Sequence, residues 1–362
     1  MEALLTARGA GLTLVLALAT AASAWILTRW VIAWLIRRAV FDTPNQRSSH
    51  VTPVPRGGGI AVLAVALPLI SAIVWLYRPG DAVAWAVLGG TLALAIVSGL
   101  DDRSGLPVMT RLCAQAVCVA VVLALIPGKF TLFQGLLPVA LDRLMVGLAW
   151  IWFVNLYNFM DGIDGLAGVE TASIGLGVFA LTGLIGAQGG DSATVAGLGG
   201  LILAAAASGF LVLNWHPARV FLGDVGSIPL GFLLGWLLLT LAMWGYWVAA
   251  LTLPAYYLAD AGITIAARAL RGERVWQAHA DHFYQRAVRR GWSHARVARF
   301  IGGGNIMLVA LAAFSTQVVN RAGDLICLGG AALIVALMLA WLARATPPGA
   351  DAGTNDGAND GD

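Results

Sequence analysis

The chain has 362 residues, 59% of them hydrophobic and 11% charged, with a mean hydropathy of +0.81 and a formal charge of +3. Soluble domains carry about 25% charged residues, so this composition excludes a soluble globular protein, and no nucleic-acid partner is expected. The apolar runs approach 20 residues and are continuous rather than alternating, which indicates membrane-spanning helices and not a barrel.

In chain order, the first run, roughly 10–36, is too long for a signal peptide and lacks a small-residue cleavage site, so it is expected to be a true first span. Eleven spans are predicted, at about 12–36, 59–77, 82–99, 112–126, 145–158, 172–187, 194–213, 228–243, 246–266, 300–318 and 324–343. Arg29 lies within the first span without an obvious partner and is expected to snorkel or to face the bundle. Cys113, Cys118 and Cys327 show neither metal nor disulfide spacing and are expected to be small core residues. Residues 1–345 therefore form one transmembrane domain, an all-α polytopic helix bundle, with no internal repeat and no attached soluble domain. The Pro-, Gly-, Asn- and Asp-rich stretch 346–362 is expected to be a disordered acidic tail.

An odd number of spans puts the termini on opposite sides. Sixteen Lys and Arg residues lie in connections after odd-numbered spans or beyond the last one, against five in the N-terminal segment and the even connections. The positive-inside bias places the odd connections and the C-terminus in the cytoplasm. Five polar motifs also follow odd spans: "FDTPNQRSSHVTPVPRGGG" (41–59), "GLDDRSG" (99–105), "VNLYNFMDGIDGLAGVE" (154–170), "NWHPARVFLGDVGS" (214–227) and "RALRGERVWQAHADHFYQR" (268–286). A structural membrane protein has no reason for that partition. An enzyme with a cytoplasmic active site does.

Asp101 and Asp102 stand side by side at the end of an apolar helix. A carboxylate at membrane depth costs about 2.5–3.5 kcal/mol, and like charges repel. The pair is either a solvated turn past the bilayer edge or is neutralised by a divalent cation or a cationic partner. Asp224 is bracketed by Gly223 and Gly226, and Ser227 opens the next span. Glycines let the backbone approach a ligand and a helix N-terminus favours phosphate, although a plain capping turn has the same pattern. Asn155, Asn158, Asp161 and Asp164 recur at three-residue spacing near one helix face until Gly162 and Gly165 interrupt the helix. Such a face must meet protein or a polar cavity. Its amides and carboxylates suit a base or a sugar; a polar packing cluster is the plainer alternative. "DGIDG" also opens the CDP-alcohol phosphotransferase signature, but Gly168 and Val169 stand where Ala-Arg is required, and the next Asp is the distant Asp191.

His279 and His282, in a strongly basic loop, are expected on one helical face with Arg286 four residues on, a face suited to a phosphate-rich ligand. A basic patch on anionic lipid is the main alternative, though it would not require histidines. A zinc site lacks a Cys or a third His nearby. His50, Arg56 and Gly57–Gly59 form a weaker phosphate-facing loop, and His216 and His294 are read as surface or boundary residues. Carboxylates, amides and His/Arg groups at the mouth of a helix bundle suit a reaction between a water-soluble nucleotide and a membrane-bound substrate, in which charge neutralisation matters most.

The ordered motifs "HVTPVPRGGG", "GLDDR", "NLYNFMDGIDGLAG", "FLGDVGS" and "LADAGITIAARALRGERVWQAHADHFYQR" resemble those of the polyprenyl-phosphate N-acetylhexosamine-1-phosphate transferases, the WecA/MraY superfamily of glycosyltransferase family 4, over nearly the whole chain. The resemblance implies that a polyprenyl phosphate, usually undecaprenyl phosphate, attacks the β-phosphate of a UDP-activated N-acetylated sugar. The products are polyprenyl diphosphate-sugar and UMP; Mg²⁺ is required, with Mn²⁺ as a substitute. It implies Asp101 and Asp102 at the lipid phosphate. Asp224 would be the principal metal ligand, with Asp161 and Asp101 beside it. Asn155, Asn158, Asp161 and Asp164 would face nucleotide and metal. His279, in a catalytic role, would grip the sugar and diphosphate with His282 and Arg286, and His50 and Arg56 would bind substrate. A bacterial inner-membrane location with a periplasmic N-terminus is likewise implied.

Two departures stand out. Gly105 replaces the last Asp of the family's DDxxD form, and His-x-x-His followed by "FYQR" replaces the WecA group's His-x-His-His. The second resembles the WbpL-like branch, which initiates O-antigen and related glycans and is associated with 6-deoxy sugars such as UDP-FucNAc or UDP-QuiNAc. A UDP-GlcNAc transferase for another envelope glycan is the alternative. A cation-coupled transporter would need ionisable residues at mid-membrane, where Asp260 is the one clear carboxylate. A scaffold would not gather its polar groups at one face. A homodimer is left open.

Overall fold

Backbone groups in lipid find hydrogen-bond partners only within their own segment, and each apolar run accordingly closes as a helix. The structure, a computed structural model, describes residues 7–42, 52–128, 131–186, 190–274, 279–318 and 320–344. Its helices are α1 (Ala7–Arg37), α2 (Gly59–Tyr77), α3 (Ala82–Ser104), α4 (Val108–Leu125), α5 (Val139–Phe159), α6 (Leu166–Ile185), α7 (Gly190–Asn214), α8 (Asp224–Met243), α9 (Trp247–Thr252), α10 (Ala255–Leu270), α11 (Phe283–Arg289), α12 (His294–Ser315) and α13 (Arg321–Ala343). Among the described residues, ten of them, all but α9, α10 and α11, are long and apolar enough to cross a membrane. The chain is a multi-pass, all-α membrane protein. His50 and the 346–362 tail lie outside the described residues.

The ninth predicted span, 246–266, is a correction. It is not one helix: α9 stops at Thr252 and α10 starts at Ala255. Pro254 has no N–H to continue the helical ladder. The second half then turns Tyr256, Tyr257, Asp260, Ala261, Thr264 and Arg268 inward, so it brings a carboxylate and a guanidinium into the bundle. The cysteines also differ from expectation. Only Cys327 is buried; Cys118 is half-buried, and Cys113 lies on the outer surface of α4.

Helices in lipid gain little from apolar burial against one another, so close packing relies on small residues. The most extensive contact is between α6 and α7. A Cβ on Gly175 of α6 would lie 2.4 Å from the carbonyl oxygen of Gly200 on α7. The α2–α8 crossing is tighter, since a Cβ on Gly59 would lie 2.2 Å from Gly226 Cα. This second crossing positions the polar end of the bundle. Leading into it, β1 (Phe41–Asp42) pairs antiparallel with β2 (Val54–Pro55). Phe221 N donates to Pro55 O (2.8 Å), Gly58 N to Phe221 O (2.8 Å) and Gly59 N to Leu222 O (2.9 Å). The motif after α1 is thereby stitched to the motif that opens α8.

Candidate active site

Stitching 54–59 to 221–222 brings Arg56 onto Asp224. Arg56 Nη2 lies 2.7 Å from Asp224 Oδ1 and 3.1 Å from Asp102 Oδ1. From the first turn of α4, Arg111 Nη1 lies 2.9 Å from Asp101 Oδ2 and 3.5 Å from Asp224 Oδ2. Asp102 Oδ2 also accepts from Val225 N at 3.1 Å, at the N-terminus of α8. Gly223, at φ +75°, allows that approach: a Cβ there would sit 3.1 Å from both Asp102 Oδ2 and Gly57 N. Asp101 ends its own helix, with its backbone carbonyl accepting from Gly105 N (2.9 Å) and its Oδ1 from Leu106 N (2.6 Å). Gly105 turns there at φ +65°. That left-handed turn accounts for a glycine where the family pattern has Asp.

The side chains of Asp101, Asp102 and Asp224 are only 8%, 9% and 14% exposed. Their charges are therefore poorly hydrated and need partners. Burial opposes the charge on Arg56, but Asp224, Asp102 and Asp42 outweigh it and hold the guanidinium above its ordinary pKa. Asp161 is pushed well above the usual carboxylate range, first by burial; Arg56 opposes this, and Asp224, Asp102 and Asp164 reinforce it. Four carboxylates thus surround two arginines. An all-oxygen donor set with excess negative charge is the kind that a hard divalent cation such as Mg²⁺ or Mn²⁺ takes, although Asp101, Asp161 and Asp224 do not lie within the span of a single ion as they stand.

The three-residue face of α5 divides among neighbours. Asn155 Nδ2 donates to Gln115 Oε1 of α4 (2.6 Å) and to Ile151 O (2.8 Å). Asn158 Oδ1 accepts from Ser227 Oγ of α8 (2.5 Å). Asn158 and Asp161 thus border the Asp224 cluster, while Asn155 lies deeper, paired to α4. Asp164 belongs to a separate knot. His216 Nδ1 lies 2.6 Å and His294 Nδ1 3.2 Å from its Oδ2, which also accepts from Ala218 N (3.2 Å). Burial alone would raise the Asp164 pKa, but His294, His216 and Ala218 N bring it below its ordinary value. His216 and His294 are therefore not simply surface residues: the Asp164 carboxylate recruits both, and His294 is buried. Among the described residues, this trio is the group of His, Cys, Asp and Glu donors close enough to share an ion. Its own hydrogen bonds already satisfy it.

His279 and His282 do not share a helical face. His279 precedes α11 in an irregular segment and His282 caps that helix, yet their rings stack at 4.9 Å. The anchor is Asp260, fully buried on α10. It accepts from Tyr256 Oη (2.8 Å), Thr264 Oγ1 (3.3 Å), His282 Nδ1 (3.2 Å), Phe283 N (2.9 Å) and Tyr284 N (3.3 Å). Tyr284 Oη donates to Phe159 O (3.2 Å), which sets the loop against 160–165. Burial, reinforced by His282 and Arg268, lowers the His279 pKa to about 4 despite Asp281 and Glu273. His279 is a neutral hydrogen-bonding group. Arg286 lies over the Phe283 ring at 4.1 Å, and its buried Nε has no partner among the described residues, leaving a donor for an anion.

Residues 84–242, which hold the Asp101/Asp102, Asp161/Asp164 and Asp224 motifs, match the model of glycosyl transferase family 4. The decaprenyl-phosphate N-acetylglucosaminephosphotransferase of Mycolicibacterium smegmatis is 30% identical over 94% of this chain and 92% of its own length. The chain belongs to the polyprenyl-phosphate N-acetylhexosamine-1-phosphate transferase family. A probable undecaprenyl-phosphate N-acetylglucosaminyl 1-phosphate transferase of Bacillus subtilis is 28% identical to this transferase, over 74% of the chain and 76% of the relative. A phospho-N-acetylmuramoyl-pentapeptide-transferase of a Synechococcus species is 29% identical over 78% and 84%. Two residues of the transferase's site escape sequence reasoning. Arg111 counts there only as one of many basic residues, and Asp260 only as a stray membrane carboxylate.

Proposed function

We propose that this transferase moves an N-acetylhexosamine-1-phosphate, of ordinary or 6-deoxy type, from a UDP-sugar to undecaprenyl phosphate as the first step of an O-antigen or related cell-surface polysaccharide. The observation that carries this reading is a groove of about 650 Å³ between α1, α2 and α3. Its walls include Leu63, Leu67, Leu92 and Ile96, and its mouth holds Arg56 and Asp102. An apolar slot ending at the carboxylate cluster suits a lipid-borne phosphate meeting a water-borne nucleotide.

An acceptor phosphate oxygen forms a bond to the β-phosphorus of the donor, and the bond from that phosphorus to the bridging oxygen of the α-phosphate breaks, releasing UMP. Asp102 and Asp101 orient the acceptor phosphate and take its remaining proton. Arg56 and Arg111 offset the charge of the approaching phosphates. Asn158 and Asp161 line the donor side. Neutral His279 and the free Nε of Arg286 hold the sugar and diphosphate. Mg²⁺ held by Asp224, Asp161 and Asp101 would supply charge neutralisation at the diphosphate oxygens. The polar end faces the cytoplasm of a bacterial inner membrane, with the N-terminus outside and the C-terminus inside; the distribution of basic residues supports that orientation.

A second reading of the donor, UDP-GlcNAc, is favoured by the activities for which the Mycolicibacterium and Bacillus relatives are named. A panel of UDP-sugars offered to membranes with undecaprenyl phosphate and Mg²⁺ separates the two. UMP release with UDP-FucNAc or UDP-QuiNAc in preference to UDP-GlcNAc supports the 6-deoxy reading. The reverse preference supports UDP-GlcNAc, and release with no sugar overturns both.

A further inference from the structure

The outer surface of the bundle carries a second polar site that shares no lining residue with the α1–α2–α3 groove. Where α1 passes the turn after α7, a cavity of about 570 Å³ is lined by Trp25, Arg29, Trp215, His216, Pro217 and Arg219, among others. A smaller cavity of about 310 Å³ shares Arg29 and continues along α1 past Ile26, Trp30 and Ala33. The 31 residues of α1 span about 46 Å, against roughly 30 Å of hydrocarbon, so the helix emerges on both sides. Arg29 lies eight residues before Arg37, about 12 Å along the axis. Its backbone therefore lies just inside the headgroup boundary, which its long side chain reaches by snorkelling.

Arg29 lies over the Trp25 ring at 5.3 Å, and among the described residues neither Arg29 nor Arg219 pairs with a carboxylate. Two guanidinium groups lining one cavity repel each other at the edge of a low-dielectric medium, and an anion between them relieves that repulsion. Tryptophans at the rim suit the membrane interface. On the bilayer-centre side of Arg29, Ile26, Leu18 and Val15 are exposed along one face of α1, an apolar track that calls for an anion carrying an acyl chain. We propose that this surface binds an anionic diacyl phospholipid, its phosphate between Arg29 and Arg219 and one acyl chain running from Ile26 past Leu18 toward the bilayer centre. The same headgroup lies beside His216, whose Nδ1 is 2.6 Å from Asp164 Oδ2. Lipid occupancy thereby braces the turn that holds the 160–165 loop.

The test is lipid retention by the purified full chain, measured by native mass spectrometry with phosphatidylglycerol or phosphatidylcholine added in graded amounts. One arginine at an anionic surface is a roughly fivefold effect, so Arg29→Gln with Arg219→Gln should weaken phosphatidylglycerol binding roughly thirtyfold. Phosphatidylcholine binding should not change, nor should the thermal midpoint in detergent. If the double variant does not fold, Arg219→Gln alone, on the exposed turn, should show the fivefold loss. Undiminished phosphatidylglycerol binding in the folded variant overturns the proposal. So does equal retention of phosphatidylcholine by the wild type, or displacement of the bound lipid by inorganic phosphate or undecaprenyl phosphate at the same concentration.

Discussion

Replacing Asp260 by Asn isolates what the His279–Arg286 loop depends on. The carboxylate accepts bonds from two backbone amides, Phe283 N and Tyr284 N, and from the side chains of His282, Tyr256 and Thr264. An Asn keeps one acceptor oxygen, best used on Phe283 N and His282. Its NH₂ then confronts Tyr256 Oη, which can rotate to accept, and Tyr284 N–H, which cannot. One orphaned buried donor costs about 1–3 kcal/mol, and losing the charge weakens the bonds that remain, for a total of about 2–4 kcal/mol. The assay is hydrogen exchange of the chain in lipid nanodiscs. The amides of 283–286 should exchange roughly thirtyfold to several-hundredfold faster, with α6 and α7 unchanged. Turnover should fall with them, because the loop no longer holds His279. Lost turnover with unchanged exchange at 283–286 would refute the anchoring role and place Asp260 directly on substrate.

Four further outcomes follow from the geometry. Asp102→Asn and Asp224→Asn should each lower turnover by about a thousandfold or more, with helical content and elution volume unchanged; near-normal rates in either would remove that residue from the reaction. His279→Asn should lower the rate by a similar factor at every pH from about 6 to 9. With its pKa lowered to about 4, His279 completes its loss of a proton well below that range, so a displaced acid limb in the variant's rate profile would contradict the neutral role. Chelating divalent ions should abolish turnover and lower the thermal midpoint. Because burial pushes Asp161 up, Mg²⁺ binding should release protons and weaken as pH falls, measurable by calorimetry in two buffers of different ionisation enthalpy. Gly59→Ala should cost at least about 2 kcal/mol through the α2–α8 crossing, whereas Gly89→Ala, inside α3 where a Cβ meets open space, should leave the thermal midpoint unchanged or raise it slightly, Ala being the better helix former.

Most spans were legible because lipid permits few alternatives: a long continuous apolar run can only be a helix. The ninth was misjudged because Pro254 lies within an apolar run, and only packing shows that the chain breaks there to turn Asp260 inward. The carboxylates were legible for the opposite reason, since Asp101, Asp102 and Asp224 are costly in a greasy chain and need an account. Their partners were not. Arg56 and Arg111 reach Asp224 across 168 and 113 residues, a juxtaposition fixed by the Gly59–Gly226 crossing and the turn at Gly105. The histidines exchanged roles for a similar reason. His216 and His294 look peripheral in the sequence, but folding brings them together on Asp164. His279 and His282 look helical, but Asp260 caps α11 at His282 and leaves His279 outside the helix.

The central claim is transfer of a sugar phosphate, rather than a sugar, onto a lipid phosphate. It is tested most directly by following the β-phosphorus. UDP-sugars labelled with ³²P at the β-phosphate, incubated with the purified chain, Mg²⁺ and undecaprenyl phosphate, should deliver label to the organic phase in step with UMP release, and Asp224→Asn should not. Label that stays in water with every sugar, or lipid glycosylation that leaves UDP behind, would contradict the account.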